Sequence, residues 1–163
     1  MLLLLKRSLL FIATVVLMAC GGGGDDATVP IAMVPQSEQL QASLKGPWPD
    51  SRLYYAVIDA QMWASIWEER RLFLGCTDNP SQSVCGTVAP PTIDFSSVIL
   101  IGVNLGRKGL FTNRENPIEV FKTSSEIIVE YGYIGLDAPA QEASSAFGLL
   151  PRTALSITFR AKP

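Results

Sequence analysis

After residue 50 the apolar positions of this chain alternate between two periods. Residues 53–58 are a short β-rich apolar run and predict a strand. Asp59 follows, placed to cap a helix by accepting from its first free amides. From residue 60 to 72 or 74 the period lengthens. Met62, Trp63, Ile66, Trp67 and Arg70 recur at three-four spacing, which predicts an amphipathic helix with one bulky stripe. Glu68, Glu69 and Arg71 fall largely outside it, and Gly75 is a natural stop. Residues 98–103 are a continuous β-branched run, the pattern of a central strand covered on both faces. Residues 117–123 and 126–133 predict a hairpin turning at Ser124-Ser125, with Ile127, Val129, Tyr131 and Tyr133 on one face. Residues 152–162 alternate most clearly: Thr153, Leu155, Ile157, Phe159 and Ala161 against Arg152, Ser156, Thr158, Arg160 and Lys162. Residues 106–116 read as a polar, basic loop and 138–150 as a loop or a short helix. The order β-α-β-β-β-β predicts an α+β domain of about five mainly antiparallel strands packed on one amphipathic helix.

The first fifty residues follow a different logic. Lys6 and Arg7 precede an apolar run. That run is about a dozen residues long, where a spanning helix needs roughly 20. The run ends in Leu17-Met18-Ala19-Cys20 and four glycines. This arrangement resembles a bacterial lipoprotein signal with its lipobox. The resemblance implies cleavage before Cys20, a diacylglycerol on its thiol, and loss of residues 1–19 from the folded protein. Two or more acyl chains anchor lastingly where one binds marginally. Gly21, in place of an aspartate, implies the outer membrane facing the periplasm. Residues 20–50 are rich in Gly and Pro and predict a tether, with 36–44 as a candidate short helix. Trp48, between two prolines, is either the first residue to dock on the core or an exposed ring. The folded domain is expected over 51–163.

Charge and cysteine usage narrow the partners. The chain has 13 basic and 15 acidic residues and no histidine. Loss of Lys6 and Arg7 takes the 13 to 11 against 15, a formal charge of −4. A mildly acidic body does not suit nucleic acid, which needs a basic stripe. With Cys20 assigned to lipid, Cys76 and Cys85 remain. In an oxidising compartment they predict a structural disulfide. A redox pair more usually has Cys-x-x-Cys spacing, and a metal site would need further ligands. A bridge closing so short a loop contributes roughly 2–3 kcal/mol.

One domain-level likeness emerges from particular strings. Tyr55-Ala-Val-Ile-Asp59, then Trp63 and Trp67, then Pro91-Thr-Ile-Asp94-Phe95, then the apolar run to Val103, resemble the PrcB-like domain. Pro151 ahead of the last alternating strand fits the same pattern. The resemblance covers about residues 53–162. It departs at Gly106-Arg107-Lys108-Gly109-Leu110-Phe111, where the family more often has a Gly-Gly-Tyr-like turn, and at the loop carrying Cys76 and Cys85. It implies a non-catalytic accessory or stabilising subunit of the cell envelope, with a protease as one candidate partner.

The side-chain chemistry points the same way. Triads built on histidine are impossible. Asp59, Asp94, Glu119 and Glu130 are the carboxylates near strands that a glycosidase-like pair would have to use. Asp59 reads better as a cap and Asp94 as a strand-entry hydrogen-bonder. No metal ligand set or cofactor motif stands out. Trp63 and Trp67 read as core. Arg107, Lys108 and Arg114 form the candidate partner-binding loop. The expectation is a lipid-anchored, non-enzymatic envelope protein that binds or stabilises a protein partner. The alternative is a periplasmic small-ligand or glycan-binding lipoprotein, with Trp48 and the 106–116 loop at its mouth.

Overall fold

The computed structural model describes residues 27–76, 78, 85, 89–136 and 144–162. The signal segment and Cys20 lie outside them. In chain order the elements are β1 (Val29–Pro30), α1 (Glu38–Leu44), β2 (Tyr54–Val57), α2 (Ala60–Phe73), β3 (Val98–Gly106) and β4 (Gly109–Phe111). They continue with β5 (Glu119–Lys122), β6 (Glu126–Gly135), β7 (Ser144–Pro151) and β8 (Ser156–Lys162). The α+β, mainly antiparallel class holds. The expected strands are β2, β3, β5, β6 and β8, the expected amphipathic helix is α2, and α1 falls within the candidate short helix at 36–44.

The strands divide into two sheets. One has the order β2-β3-β7, all antiparallel. In the other, β5 and β8 both pair with β6, β4 pairs with the end of β6, and β1 pairs with β5. The β6–β8 pairing is parallel. Strand β3 is the shared wall. Val98 and Leu100 pack with Trp63, Ile66 and Trp67 of α2 in one cluster. Ile99, Ile101 and Val103 pack with Val120, Ile127, Val129 and Tyr131 of the second sheet in another. The uninterrupted apolar run of β3 thus faces helices on one side and a sheet on the other.

Local signals start and stop α2 as expected. The Asp59 carboxylate accepts from the Met62 amide at 2.7 Å. Gly75, at φ +70°, ends the helix in a conformation that other residues resist. The buried stripe is Trp63, Ile66, Trp67 and Arg70. Met62, expected in that stripe, is instead 38% exposed. The Trp63 indole donates to the Pro91 carbonyl at 2.9 Å, which fixes the loop entering β3. The Cys76–Cys85 disulfide forms just after α2, with the Cα atoms 5.6 Å apart and both residues buried.

Three expectations need correction. The stretch 27–50, expected as tether, belongs to the packed body: Leu40, Leu44 and Trp48 are buried in the helix-side cluster, and Trp48 is fully inaccessible. Within it α1 falls inside the short helix expected at 36–44 and buries Leu40 and Leu44 one turn apart, while prolines at 30, 35, 47 and 49 keep the helical pattern from extending further. Second, the loop-or-helix expected at 138–150 contains β7 over its described part. Ser-Ser-Ala-Phe-Gly has weak strand propensity, and pairing with the buried β3 overrides it. Gly102 makes room for this, because a Cβ there would stand 2.3 Å from the Phe147 ring. Third, β4 lies inside the expected 106–116 loop and pairs with the end of β6. Tyr133, expected on one face with Ile127, Val129 and Tyr131, is 49% exposed where those three are buried.

Candidate functional site

The two long sides of the sheet sandwich are built differently. On one, residues 29–34 cross from one sheet to the other. Val29 and Pro30 pair with β5, the Ile31 amide donates to Val120, and the Val34 amide donates to Leu149 of β7 at 2.8 Å. Gln36 Nε2 then donates to the Phe147 carbonyl at 2.9 Å. This strap closes the seam between β5 and β7.

On the other side β2 lies over β8. Among the described residues β2 pairs only with β3 and β8 only with β6. Between them runs an aromatic ladder. Tyr54 stacks on Phe159 with ring centres 4.7 Å apart and meets the Tyr131 ring edge-on at 6.0 Å. The Tyr54 and Tyr131 hydroxyls are 2.7 Å apart, and Tyr133 continues the series 6.0 Å beyond Tyr131. Burial and the bond to Tyr54 push the Tyr131 hydroxyl pKa up. Tyr54 is 39% exposed. The Asn104 amide donates to the Leu53 carbonyl. By antiparallel alternation the backbone polar groups of Tyr54 and Ala56 therefore point away from β3, along an open edge.

The expected basic loop does not act as one patch. Arg107 and Lys108 are exposed in the turn from β3 to β4, beside a cleft of about 330 Å³ shared with Asp50, Leu53 and Leu105. Gly106, at φ +58°, makes this turn, and the Asp50 carboxylate lies where a Cβ would sit. Arg114, on the loop from β4 to β5, lines a separate cleft of about 560 Å³ beside α1. Trp48 stands at the mouth of neither, because it is core.

The four carboxylates weighed for catalysis are each engaged. Asp59 caps α2. Asp94 accepts from Ser96 Oγ at 2.5 Å, Ser97 Oγ at 2.8 Å and the Ser96 amide at 3.1 Å, which lowers its pKa. Glu119 and Glu130 face each other across β5 and β6. Lys162 relieves that like-charge pair, with Nζ 2.5 Å from Glu119 and 3.7 Å from Glu130, and the Glu119 bond raises the lysine pKa. Among the described residues no group of acidic or thiol side chains could hold a metal ion. No helix among them is long and apolar enough to cross a membrane.

Arg70 is the residue whose role its position in the α2 stripe left unread. It is 5% exposed and donates to the carbonyls of Ser43 at 2.6 Å, Lys45 at 2.5 Å and Pro47 at 3.2 Å. Its guanidinium lies 4.3 Å over the Trp48 ring. It satisfies the carbonyls that α1 leaves open at its end. Burial lowers its pKa to about 10. Next to it the Tyr55 hydroxyl is buried and, among the described residues, unpartnered. The side-chain amide of Asn104 nearby donates through Nδ2 to the carbonyls of Pro49 and Arg52. Burial, reinforced by Glu69, pushes the Tyr55 pKa up to about 12. A cation on an otherwise apolar helix stripe was the available signal for this anchor.

These features define an α+β sandwich with helices on one sheet, one strapped seam and one open seam. No family model, no curated protein and no solved structure matches the chain.

Proposed function

We propose that this chain is a lipid-anchored, non-catalytic protein of the bacterial cell envelope that binds or stabilises a protein partner. The anchor is Cys20, and the compartment is the periplasmic face of the outer membrane. The observation that carries the partner reading is the open seam: two strand edges flank an aromatic ladder in which Tyr54 and Phe159 are partly exposed over a buried Tyr131. Unpaired edges accept a strand from another chain, and aromatic rings supply the side-chain contact. The partner segment is therefore extended, pairing along β2. Engagement of Asp59, Asp94, Glu119 and Glu130 in caps, turns and ion pairs supports a non-catalytic role. The accessory-subunit form of the reading, with a protease as partner, rests on the PrcB-like strings alone, and no family match stands behind them.

Ala56→Pro tests the reading. Proline there removes only an outward amide and leaves the β2–β3 bonds in place. Native protein purified from detergent-solubilised envelope should carry a stoichiometric partner, and the variant should lose it while keeping its melting temperature. Recovery of the protein alone, or equal recovery with both chains, would contradict the proposal.

A further inference from the structure

The larger cleft lies on the strapped side, away from the open seam. Its floor is apolar: Met33 and Val34 from the strap, Leu44 from α1 and Phe147 from β7. Two cations stand on its rim, Lys45 just past α1 and Arg114 on the loop from β4 to β5. Among the described residues neither makes an ion pair. Glu115 is the single carboxylate in the lining, so the rim carries a net positive charge inside an acidic protein. The walls are held from behind. Arg70 binds the Lys45 carbonyl, Gln36 binds the Phe147 carbonyl, and the Phe147 ring packs 4.7 Å from Trp48. The volume, about 560 Å³, falls within the range of roughly 300–1,000 Å³ of small-molecule sites.

We infer that this cleft binds a single-chain amphipathic anion, with a phosphate or carboxylate head between Lys45 and Arg114 and an apolar body over Met33 and Phe147. Two unpaired cations favour the head. Met33 adapts to an unbranched chain. The inference is independent of the partner reading, because its residues lie on the opposite seam.

The test uses the full chain in phosphatidylcholine nanodiscs, read by tryptophan fluorescence, since Trp48 backs the Phe147 floor. Octyl phosphate and octanoate should each give a saturable response, with inorganic phosphate and octanol far weaker. Lys45→Glu with Arg114→Glu should raise both dissociation constants by about tenfold or more, as should the milder pair Lys45→Gln with Arg114→Gln, with far-UV circular dichroism unchanged. Discs containing phosphatidylglycerol separate the sources of the head group. Suppression of the octyl phosphate response there would assign it to membrane lipid, and an unchanged response to a free amphiphile. Either source fits the inference. Unchanged affinity in both double variants, or a response to inorganic phosphate equal to that of octyl phosphate, would overturn it. So would displacement of octyl phosphate by an acidic peptide at lower concentration, which would make the rim a protein-binding surface.

Discussion

The two seams of the sandwich solve one problem in opposite ways. Both sheets end in edges with unpaired backbone groups, which invite association. On the strapped side residues 29–34 bond to both sheets, and the chain beyond them docks through the buried side chains of Leu40, Leu44 and Trp48. On the open side nothing among the described residues spans β2 and β8. The contact there is a stack of aromatic rings and one hydroxyl pair. Closure by backbone hydrogen bonds makes a wall, while closure by ring contacts leaves the outward backbone groups of β2 along an open edge. The contrast is between stability and availability.

The largest effect should come from the strapped side. Trp48→Ala removes a fully buried ring that packs on Tyr55, Trp63, Trp67 and Phe147, and leaves Arg70 only its longer contact, 5.2 Å, with the Trp67 ring. Chemical denaturation should show a loss of about 3–5 kcal/mol. A loss below about 1 kcal/mol would mean that the docked segment adds little, against this account. Gly148→Val acts on the strap directly. A Cβ there would meet Met33 Sδ at 2.2 Å and Ile118 Cδ1 at 3.5 Å. The expected cost is about 1–3 kcal/mol, with faster hydrogen exchange at the Val34 amide. On the open side Tyr54→Phe should cost only about 0.5–1.5 kcal/mol, because it breaks one part-buried hydroxyl pair and keeps the ring stack.

How much of this could be read from residues alone depends on which signals were local. The helix from Ala60, its Asp59 cap, the central strand and the disulfide pairing all come from neighbours in sequence. The strap does not. Val34, Leu40, Leu44 and Trp48 are separated by prolines and polar residues, and only the folded sheets supply the surfaces that bury them. Strand β7 was illegible for a related reason: its Phe147 needs Gly102 as a partner, far away along the chain. The candidate loop is divided in space. Arg107 and Lys108 sit at one turn, whereas Arg114 faces a different cleft with Lys45. The open seam had one faint signal, Tyr54 at the outward position of an alternating strand.

The smallest effect is a pH dependence shared by neither seam. Asp94 has its pKa lowered from 3.8, first by the Ser96 hydroxyl and then by Ser97 and the Ser96 amide. A carboxylate with a depressed folded pKa stabilises the fold above its unfolded value, and that contribution is lost as pH falls through the folded one. Thermal melts between about pH 5 and about pH 3 should therefore fall more steeply for the wild type than for Asp94→Asn. Parallel curves would show that the Asp94 turn adds nothing to the acid limb.

The central claim is that the open seam is where a partner sits. Site-specific photocrosslinking in intact cells addresses it directly, with the photoreactive residue placed at Ala56 or Thr158 on the open side, or at Ser145 on the strapped side. The account predicts one discrete higher-mass adduct from the first two positions and none from Ser145. Equal adducts from all three, or no adduct from Ala56 and Thr158, would contradict it.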